Sequence, residues 1–188
     1  MAGRRIGLLG GSFNPAHEGH RQISLDALAR LRLDQVWWLV SPQNPLKSSR
    51  DMKPFAARMT QAKAMAAHPR IKISDFEQRH GLRFTVDSLR LLLRQNSGDR
   101  FVWLMGADNL SQIPRWRRWQ EIFRYLPVAV FDRPGYTYKA LSGLAARRFA
   151  DARCKSPQAL ARRTPPAWCF LFGRRNSISA TALRQRSD

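Results

Sequence analysis

The sequence has few cysteines, and it has no hydrophobic run long enough to cross a membrane. Cys154 and Cys169 are the two cysteines of the chain, and their spacing matches neither a disulfide framework nor a structural zinc site. The apolar run at residues 6–9 is too short for the core of a signal peptide or for a membrane span. These absences predict a soluble cytoplasmic protein with no membrane partner.

Acidic residues are also scarce, since 13 Asp and Glu stand against 33 Lys and Arg, which gives a net charge of +20. Such a field attracts anions of every kind. The basic residues are mostly arginines scattered along the chain, a distribution that is typical of a solvated surface. Because the sequence has no RNP-like aromatic block and no helix-turn-helix pattern, we expect no specific nucleic-acid partner. A nucleic-acid-binding module without enzymatic activity is the alternative from a different functional class.

Short apolar runs alternate with segments of helical periodicity along the whole chain. A length of 188 residues with 44% hydrophobic composition suits one core, so we expect a single domain over residues 1–188. The predicted strands are Ile6–Leu9, Val36–Val40, Ile71–Ser74, Phe101–Met105, Val128–Phe131 and Trp168–Phe172. The predicted helices are Gly19–Leu31, Phe55–Ala67, Val86–Arg94, Trp116–Tyr125 and Leu141–Phe149, with Thr85 as the N-cap of the third. This alternation predicts an α/β fold with a doubly wound, Rossmann-like parallel sheet.

Unusual residues follow several of the predicted strands. Gly10 and Gly11 follow the first strand, Lys47 comes after the second, Asp108 after the fourth and Arg133 after the fifth. Doubly wound sheets bind ligands outside the carboxyl ends of their strands. The topology therefore predicts that these residues converge on one site.

The segment between Gly10 and His20 reads GGSFNPAHEGH. Glycines after a buried strand let backbone N–H groups approach an anion, and the helix that follows adds partial positive charge. His17 and His20, three residues apart at the start of that helix, can face the same way and donate to phosphate oxygens. The segment predicts a phosphate-binding site.

Three better-known motifs do not match this segment. It lacks the GxxxxGK[ST] pattern of a P-loop and the GxGxxG fingerprint of a dinucleotide-binding fold. The second histidine of HEGH comes too early for the HExxH pattern of a zinc peptidase, so we expect no protein-bound metal.

HEGH and several blocks along the chain resemble the HxGH nucleotidylyltransferases, and among them the bacterial nicotinate mononucleotide adenylyltransferases. The blocks keep the order of that family and are Asn44–Lys47, Phe84–Leu89, Gly106–Asp108, Pro114 with Trp116, Arg133–Gly135 and Ile178–Arg184. The chain departs from the family at Phe84, where tyrosine is usual, and at Leu46, where many members have histidine.

The resemblance implies transfer of AMP from ATP to nicotinate mononucleotide, with Mg²⁺ arriving on the ATP phosphates. His17 and His20 are the candidate catalytic residues. The candidate ATP-binding residues are Gly10, Gly11, Ser12, Phe13, Lys47, Ile178, Ser179, Thr181 and Arg184. The candidate acceptor-binding residues are Thr85, Gly106, Asp108, Trp116 and Arg133.

Several of these residues have structural alternatives, and the substrate has alternatives as well. Asp108 suits a loop cap, Trp116 a core aromatic, Arg133 a turn and Ser179 an N-cap. A sister HxGH enzyme that uses nicotinamide mononucleotide or phosphopantetheine would keep the motif and change the acceptor pocket. The sequence carries no indication of an oligomeric state.

Overall fold

A parallel sheet forms the centre of the computed structural model, which describes residues 3–42 and 52–173. Within these residues the strands are β1 Arg5–Gly11, β2 Gln35–Val40, β3 Ile71–Ser74, β4 Arg100–Gly106, β5 Val128–Phe131 and β6 Trp168–Leu171. Their order in the sheet is β3-β2-β1-β4-β5-β6, and every neighbouring pair is parallel. The order reverses direction at β1, so the crevice beside its carboxyl end is the usual ligand position of such a sheet.

Helices connect the strands and cover both faces of the sheet. They are α1 Glu18–Arg30, α2 Phe55–Ala66, α3 Phe76–Arg79, α4 Thr85–Gln95, α5 Ala107–Gln112, α6 Trp119–Tyr125, α7 Thr137–Leu141, α8 Leu144–Arg148 and α9 Pro157–Leu160. Two short 3₁₀ turns lie at Ile113–Arg115 and Ala150–Ala152. The arrangement confirms the predicted α/β, Rossmann-like fold.

The sheet separates two hydrophobic cores because successive side chains of a strand point to opposite faces. Leu8 of β1 belongs to the core under α4 and α6, and its neighbour Leu9 belongs to the core under α1 and α2. The strands are therefore buried on both sides, which explains their continuous apolar runs. This burial holds the loops at the strand ends on a rigid base.

The structure corrects three predicted helix boundaries. The segment predicted as one helix at Leu141–Phe149 contains α8 and only the last residue of α7, and the backbone is crowded at Gly143 between the two helices. The helix predicted from Trp116 begins at Trp119, because Trp116 is extended and Arg118 is left-handed with φ +50°. Thr85 is the first residue of α4 and not its N-cap, which is Phe84 in an extended conformation.

Three short helices, α3, α5 and α9, lie outside every predicted helix. Each has fewer than two turns, and its apolar residues are too few to show helical periodicity in the sequence. Among the described residues, no helix is long and apolar enough to cross a membrane.

Candidate active site

The loop after β1 is fixed by a strained turn and an aromatic stack. Phe13 has a φ of +46°, which costs a non-glycine residue about 1 kcal/mol or more. Its ring is buried and stacks on Trp38 of β2 with centroids 4.9 Å apart. This packing offsets the strain and orients the backbone of Gly11 and Ser12 at the end of the strand.

His17 and His20 cap the start of α1 reciprocally. The Nδ1 atom of His17 accepts the N–H of Gly19 at 3.1 Å, and the Nδ1 atom of His20 accepts the N–H of His17 at 3.2 Å. A ring nitrogen that accepts a hydrogen bond carries no proton, so each neutral ring holds its proton on Nε2. The ring centroids are 3.8 Å apart. The cap therefore presets two adjacent imidazoles as Nε2 donors.

Two of the predicted glycines leave room for a neighbouring side chain. A Cβ atom at Gly10 would lie 2.5 Å from the indole of Trp103, and one at Gly106 would lie 2.4 Å from Oδ1 of Asp108. Neither distance is compatible with a larger residue unless the neighbour moves. The absence of a side chain at Gly10 therefore leaves room for the indole of Trp103, and its absence at Gly106 leaves room for the Asp108 carboxylate.

Asp108 and Arg133 form an ion pair between the ends of β4 and β5. Nη1 of Arg133 donates to Oδ2 of Asp108 at 2.5 Å, and both side chains are at least three-quarters buried. Oδ1 of Asp108 is buried and has no hydrogen-bond partner among the described residues. A ligand hydroxyl that reached this carboxylate would satisfy that acceptor.

The predicted acceptor residues Thr85 and Trp116 lie on the face of the sheet that α4 and α6 cover. Trp116 contacts Trp103 edge to face with centroids 6.5 Å apart, and it is partly exposed. Thr85 begins α4 beside Phe84, whose ring carries the guanidinium of Arg117 at 4.7 Å. An aromatic surface, a helix start and a cation therefore occur together here, a combination suited to a planar anionic ring.

A cleft of about 790 Å³ opens along the carboxyl edge of the sheet, part of it open to solvent. It is lined by six of the predicted residues, Gly10, His17, His20, Gly106, Asp108 and Arg133. Gly11, Ser12, Phe13, Thr85 and Trp116 are not among the lining residues.

The cleft extends along α1 past residues that the sequence analysis did not select. Gln22, Asp26 and Arg30 line it, spaced four residues apart on one face of the helix. The amide of Gln22 donates to Asp26 at 2.9 Å. Their helical spacing was visible in the sequence, but polar residues on a helix face are typical of a solvated surface.

Five of the predicted ATP-binding residues lie outside the described residues. They are Lys47, Ile178, Ser179, Thr181 and Arg184. Among the described residues, no group of three His, Cys, Asp or Glu side chains is arranged to hold a metal ion.

Comparisons with known proteins identify a family and several relatives of the chain. The cytidylyltransferase-like family matches residues 8–186. A protein of Methylorubrum extorquens named "Probable nicotinate-nucleotide adenylyltransferase" is 54% identical over 184 residues, which are 97% of this chain and 100% of the relative. A Brucella abortus protein of the same name is 48% identical over 96% of this chain and 94% of its own.

A solved structure with the same fold is the nicotinic acid mononucleotide adenylyltransferase of Plasmodium falciparum complexed with NaAD. Its TM-score is 0.72 at 16% identity, over 97% of this chain and 83% of that one.

Proposed function

Because the chain belongs to the cytidylyltransferase-like family, we propose that it transfers AMP from ATP to nicotinate mononucleotide, forming nicotinate adenine dinucleotide and pyrophosphate. The function belongs to NAD biosynthesis. The observation that carries the proposal is the pair of imidazoles, His17 and His20, which line the cleft directly after the β1 loop. Relatives that are about half identical over nearly the whole chain bear the name of this activity.

The reaction joins a phosphate oxygen of the mononucleotide to the α-phosphorus of ATP and breaks the bond from that phosphorus to the pyrophosphate oxygen. The attacking phosphate is already ionised near neutral pH, since its second pKa is about 6. No general base is required, so positioning and charge stabilisation carry the catalysis. The Nε2–H groups of His17 and His20 donate to phosphate oxygens that gain charge in the transition state.

The remaining predicted residues divide between the two substrates. Backbone N–H groups of Gly10, Gly11, Ser12 and Phe13 are the proposed triphosphate donors, at the end of β1 where Gly10 lines the cleft, and Lys47, Ile178, Ser179, Thr181 and Arg184 are further ATP contacts. Asp108, beside Gly106, accepts from a ribose hydroxyl, which would satisfy its buried Oδ1. Arg133 holds Asp108 in place and faces the mononucleotide.

Thr85 and Trp116 bind the pyridine ring of the acceptor in this proposal. Trp116 stacks on the ring, and the first turn of α4 directs its N–H groups at the carboxylate of nicotinate. The amide of nicotinamide mononucleotide presents no such charge. The geometry therefore favours nicotinate over nicotinamide as the acceptor ring.

Mg²⁺ accompanies ATP in this proposal, bound through the phosphates. The carboxylates that line the cleft are Asp26, Asp108 and Asp132, and each already accepts a hydrogen bond from a neighbouring side chain. Mg²⁺ usually takes one or two carboxylates at most beside substrate phosphates, so this side-chain set fits a nucleotide-borne ion. When bound, the ion neutralises charge on the triphosphate.

The proposal extends to the whole chain. Residues 1–188 form one nucleotidylyltransferase domain, since the family match spans residues 8–186 around one sheet. The cytoplasm is the compartment that the cysteine content favours.

A pyrophosphate-release assay tests the function directly. The purified protein receives ATP and Mg²⁺ with nicotinate mononucleotide, nicotinamide mononucleotide or phosphopantetheine in parallel reactions. We expect kcat/KM for nicotinate mononucleotide to exceed that for nicotinamide mononucleotide on the order of 10²-fold, because an anion-binding site is left unpaired by the amide.

Each other outcome assigns a different function. Parity or a preference for nicotinamide would reject the acceptor while keeping adenylyl transfer, and release with phosphopantetheine alone would assign the sister enzyme. No release with any acceptor, together with salt-dependent binding of DNA or RNA, would assign the nucleic-acid-binding alternative.

A further inference from the structure

A buried arginine lies behind the β1 loop, whereas the scattered basic residues of the sequence predicted a solvated surface. Arg58 of α2 is only 1% exposed. Its hydrogen-bond partners among the described residues are all carbonyl oxygens, those of Ser12 at 2.6 Å, Ser41 at 2.8 Å, Pro42 at 2.9 Å and Lys53 at 3.0 Å. Burial of a charged side chain is costly unless its donors are hydrogen-bonded, and the four carbonyl groups meet this requirement for Arg58.

These contacts tie together the loops that follow β1 and β2. Ser12 belongs to the β1 loop, and Ser41 and Pro42 follow β2. The backbone adds two bonds to the same junction, from the N–H of Ser41 to the carbonyl of Gly11 at 2.9 Å and from the N–H of Lys53 to Oδ1 of Asn14 at 3.2 Å. Arg58 therefore sets where the phosphate-facing backbone lies.

A second buried ionisable residue continues from the same junction. Glu77 of α3 is 6% exposed and accepts from the hydroxyls of Ser41 and Ser88, the latter at 2.8 Å. Ser88 is fully buried in the first turns of α4, and its Oγ also lies 3.3 Å from the carbonyl of Phe84, the N-cap residue. The backbone carbonyl of Glu77 accepts the N–H of Leu82 at 2.8 Å, in the segment that leads to α4.

The contacts form a continuous path, Arg58–Ser41–Glu77–Ser88, which we call the buried polar chain. It begins under the loop that faces the triphosphate and ends at the helix start that faces the acceptor. We propose that Arg58 and Glu77 are positioning residues, and that the buried polar chain fixes the β1 loop and the start of α4 relative to each other. This inference rests on the proposed function, because it assigns the two ends to the two substrates.

In-line transfer makes the reaction sensitive to this spacing. The acceptor oxygen must meet the α-phosphorus opposite the leaving pyrophosphate, and a shift of about 1 Å can cost 10²-fold in rate. Neither Arg58 nor Glu77 lines the cleft, so both act through the backbone groups that they hold. Neither side chain has another role in the reaction described above.

The experiment measures kcat and both KM values for four variants and compares each with a core variant of similar melting temperature. Arg58→Met removes the donors to four carbonyls, and we expect kcat/KM to fall by about 10²-fold with the larger KM rise for ATP. Glu77→Leu should raise KM mainly for the acceptor. Arg58→Lys and Glu77→Gln keep part of the hydrogen bonding and should recover at least half of each loss on a logarithmic scale.

The core variant Leu92→Ala controls for stability alone. Leu92 lies on α4 and is buried in the apolar core, and its side chain has no polar atom that could hydrogen-bond to the buried polar chain. It should melt at a lower temperature with both KM values unchanged. If the Arg58 and Glu77 variants behave like Leu92→Ala, their role is structural and the proposal is overturned.

Two measurements keep the result decisive if a variant does not fold or the enzyme assignment fails. Ser88→Ala removes one hydroxyl, and we expect about a threefold rise in the acceptor KM with that for ATP unchanged; no change overturns the proposal. ATP affinity by calorimetry needs no turnover. If the wild-type protein binds ATP but releases no pyrophosphate, the proposed function fails, while weaker ATP binding by Arg58→Met and not by Leu92→Ala still supports the loop-positioning role.

Discussion

Charged residues differ in their partners and in their exposure between the two edges of the sheet. At the amino edge, Arg4 donates to Asp99 at 2.7 Å and Arg5 donates to Asp34 at 2.8 Å. The same carboxylates accept the backbone N–H groups of Arg4 and Arg5, at the start of the central strand. These are partly exposed pairs of opposite sign. At the carboxyl edge, Arg58 is buried against carbonyl groups.

The charged side chains at the amino edge join neighbouring strands, whereas Arg58 at the carboxyl edge positions the loops of the site. Exposed ion pairs are screened by water and contribute about 0–1 kcal/mol each. At the carboxyl edge, uncharged groups hold Arg58 and Glu77, and the Asp108–Arg133 ion pair that lines the cleft is at least three-quarters buried, so these charges position groups that face the cleft. We therefore expect substitutions at the carboxyl edge to change turnover, and those at the amino edge to change stability slightly.

The largest effect is expected for His20→Ala. The variant loses one preorganised donor, which should lower kcat on the order of 10²-fold or more. Its reciprocal cap with His17 is also lost, at about 1 kcal/mol of folding free energy. Steady-state pyrophosphate release and urea unfolding measure the two effects. Near-native turnover in a folded variant would reject the catalytic assignment.

A matched pair of glycine variants sharpens the comparison between the edges. Gly106→Ala places a Cβ atom 2.4 Å from Oδ1 of Asp108, so the Asp108–Arg133 pair must shift. We expect kcat/KM to fall by about tenfold. Gly98→Ala, next to Asp99 at the amino edge, meets open space and should leave kinetics unchanged while slightly raising the melting temperature. Equal kinetic effects from both variants would contradict the distinction.

The smallest effect is expected for Asp34→Asn at the amino edge. The Arg5 guanidinium, which hydrogen-bonds to Asp34, holds the pKa of that carboxyl below its ordinary value. A lowered folded-state pKa gives stability above the unfolded pKa of about 3.9, and this stability is lost as the pH falls through the folded value. We expect Asp34→Asn to cost about 0.5 kcal/mol at pH 7 because solvent screens the pair.

Urea unfolding at pH 7 and near pH 3 checks the sign of this effect. The difference between Asp34→Asn and the wild-type protein should shrink toward the lower pH. A constant difference would show that the carboxylate charge has no part in it, and a loss of turnover in the variant would break the separation of the two edges.

The sheet was predictable from the sequence because apolar runs and intervening periodic segments record burial directly. His17 and His20 were predictable because a glycine-rich turn after a strand is a local pattern. Arg58 was not, since its partners are carbonyl groups from three separate segments, and backbone groups leave no trace in residue identity. Glu77 was not predicted for a different reason, because α3 is too short to show a periodic pattern.

The strand order has a consequence for how the protein is made. The strand that carries the phosphate loop is synthesised before the other five described strands of the sheet, yet it pairs on one side with β4, where Arg5 is in register with Arg100. The nascent chain must therefore keep β1 with one open edge until β4 has emerged from the ribosome. Pairings between distant segments form slowly, and an open apolar strand edge invites association with other chains. The active site therefore forms late in folding. We expect the amino-terminal half of the nascent protein to be the part that chaperones bind.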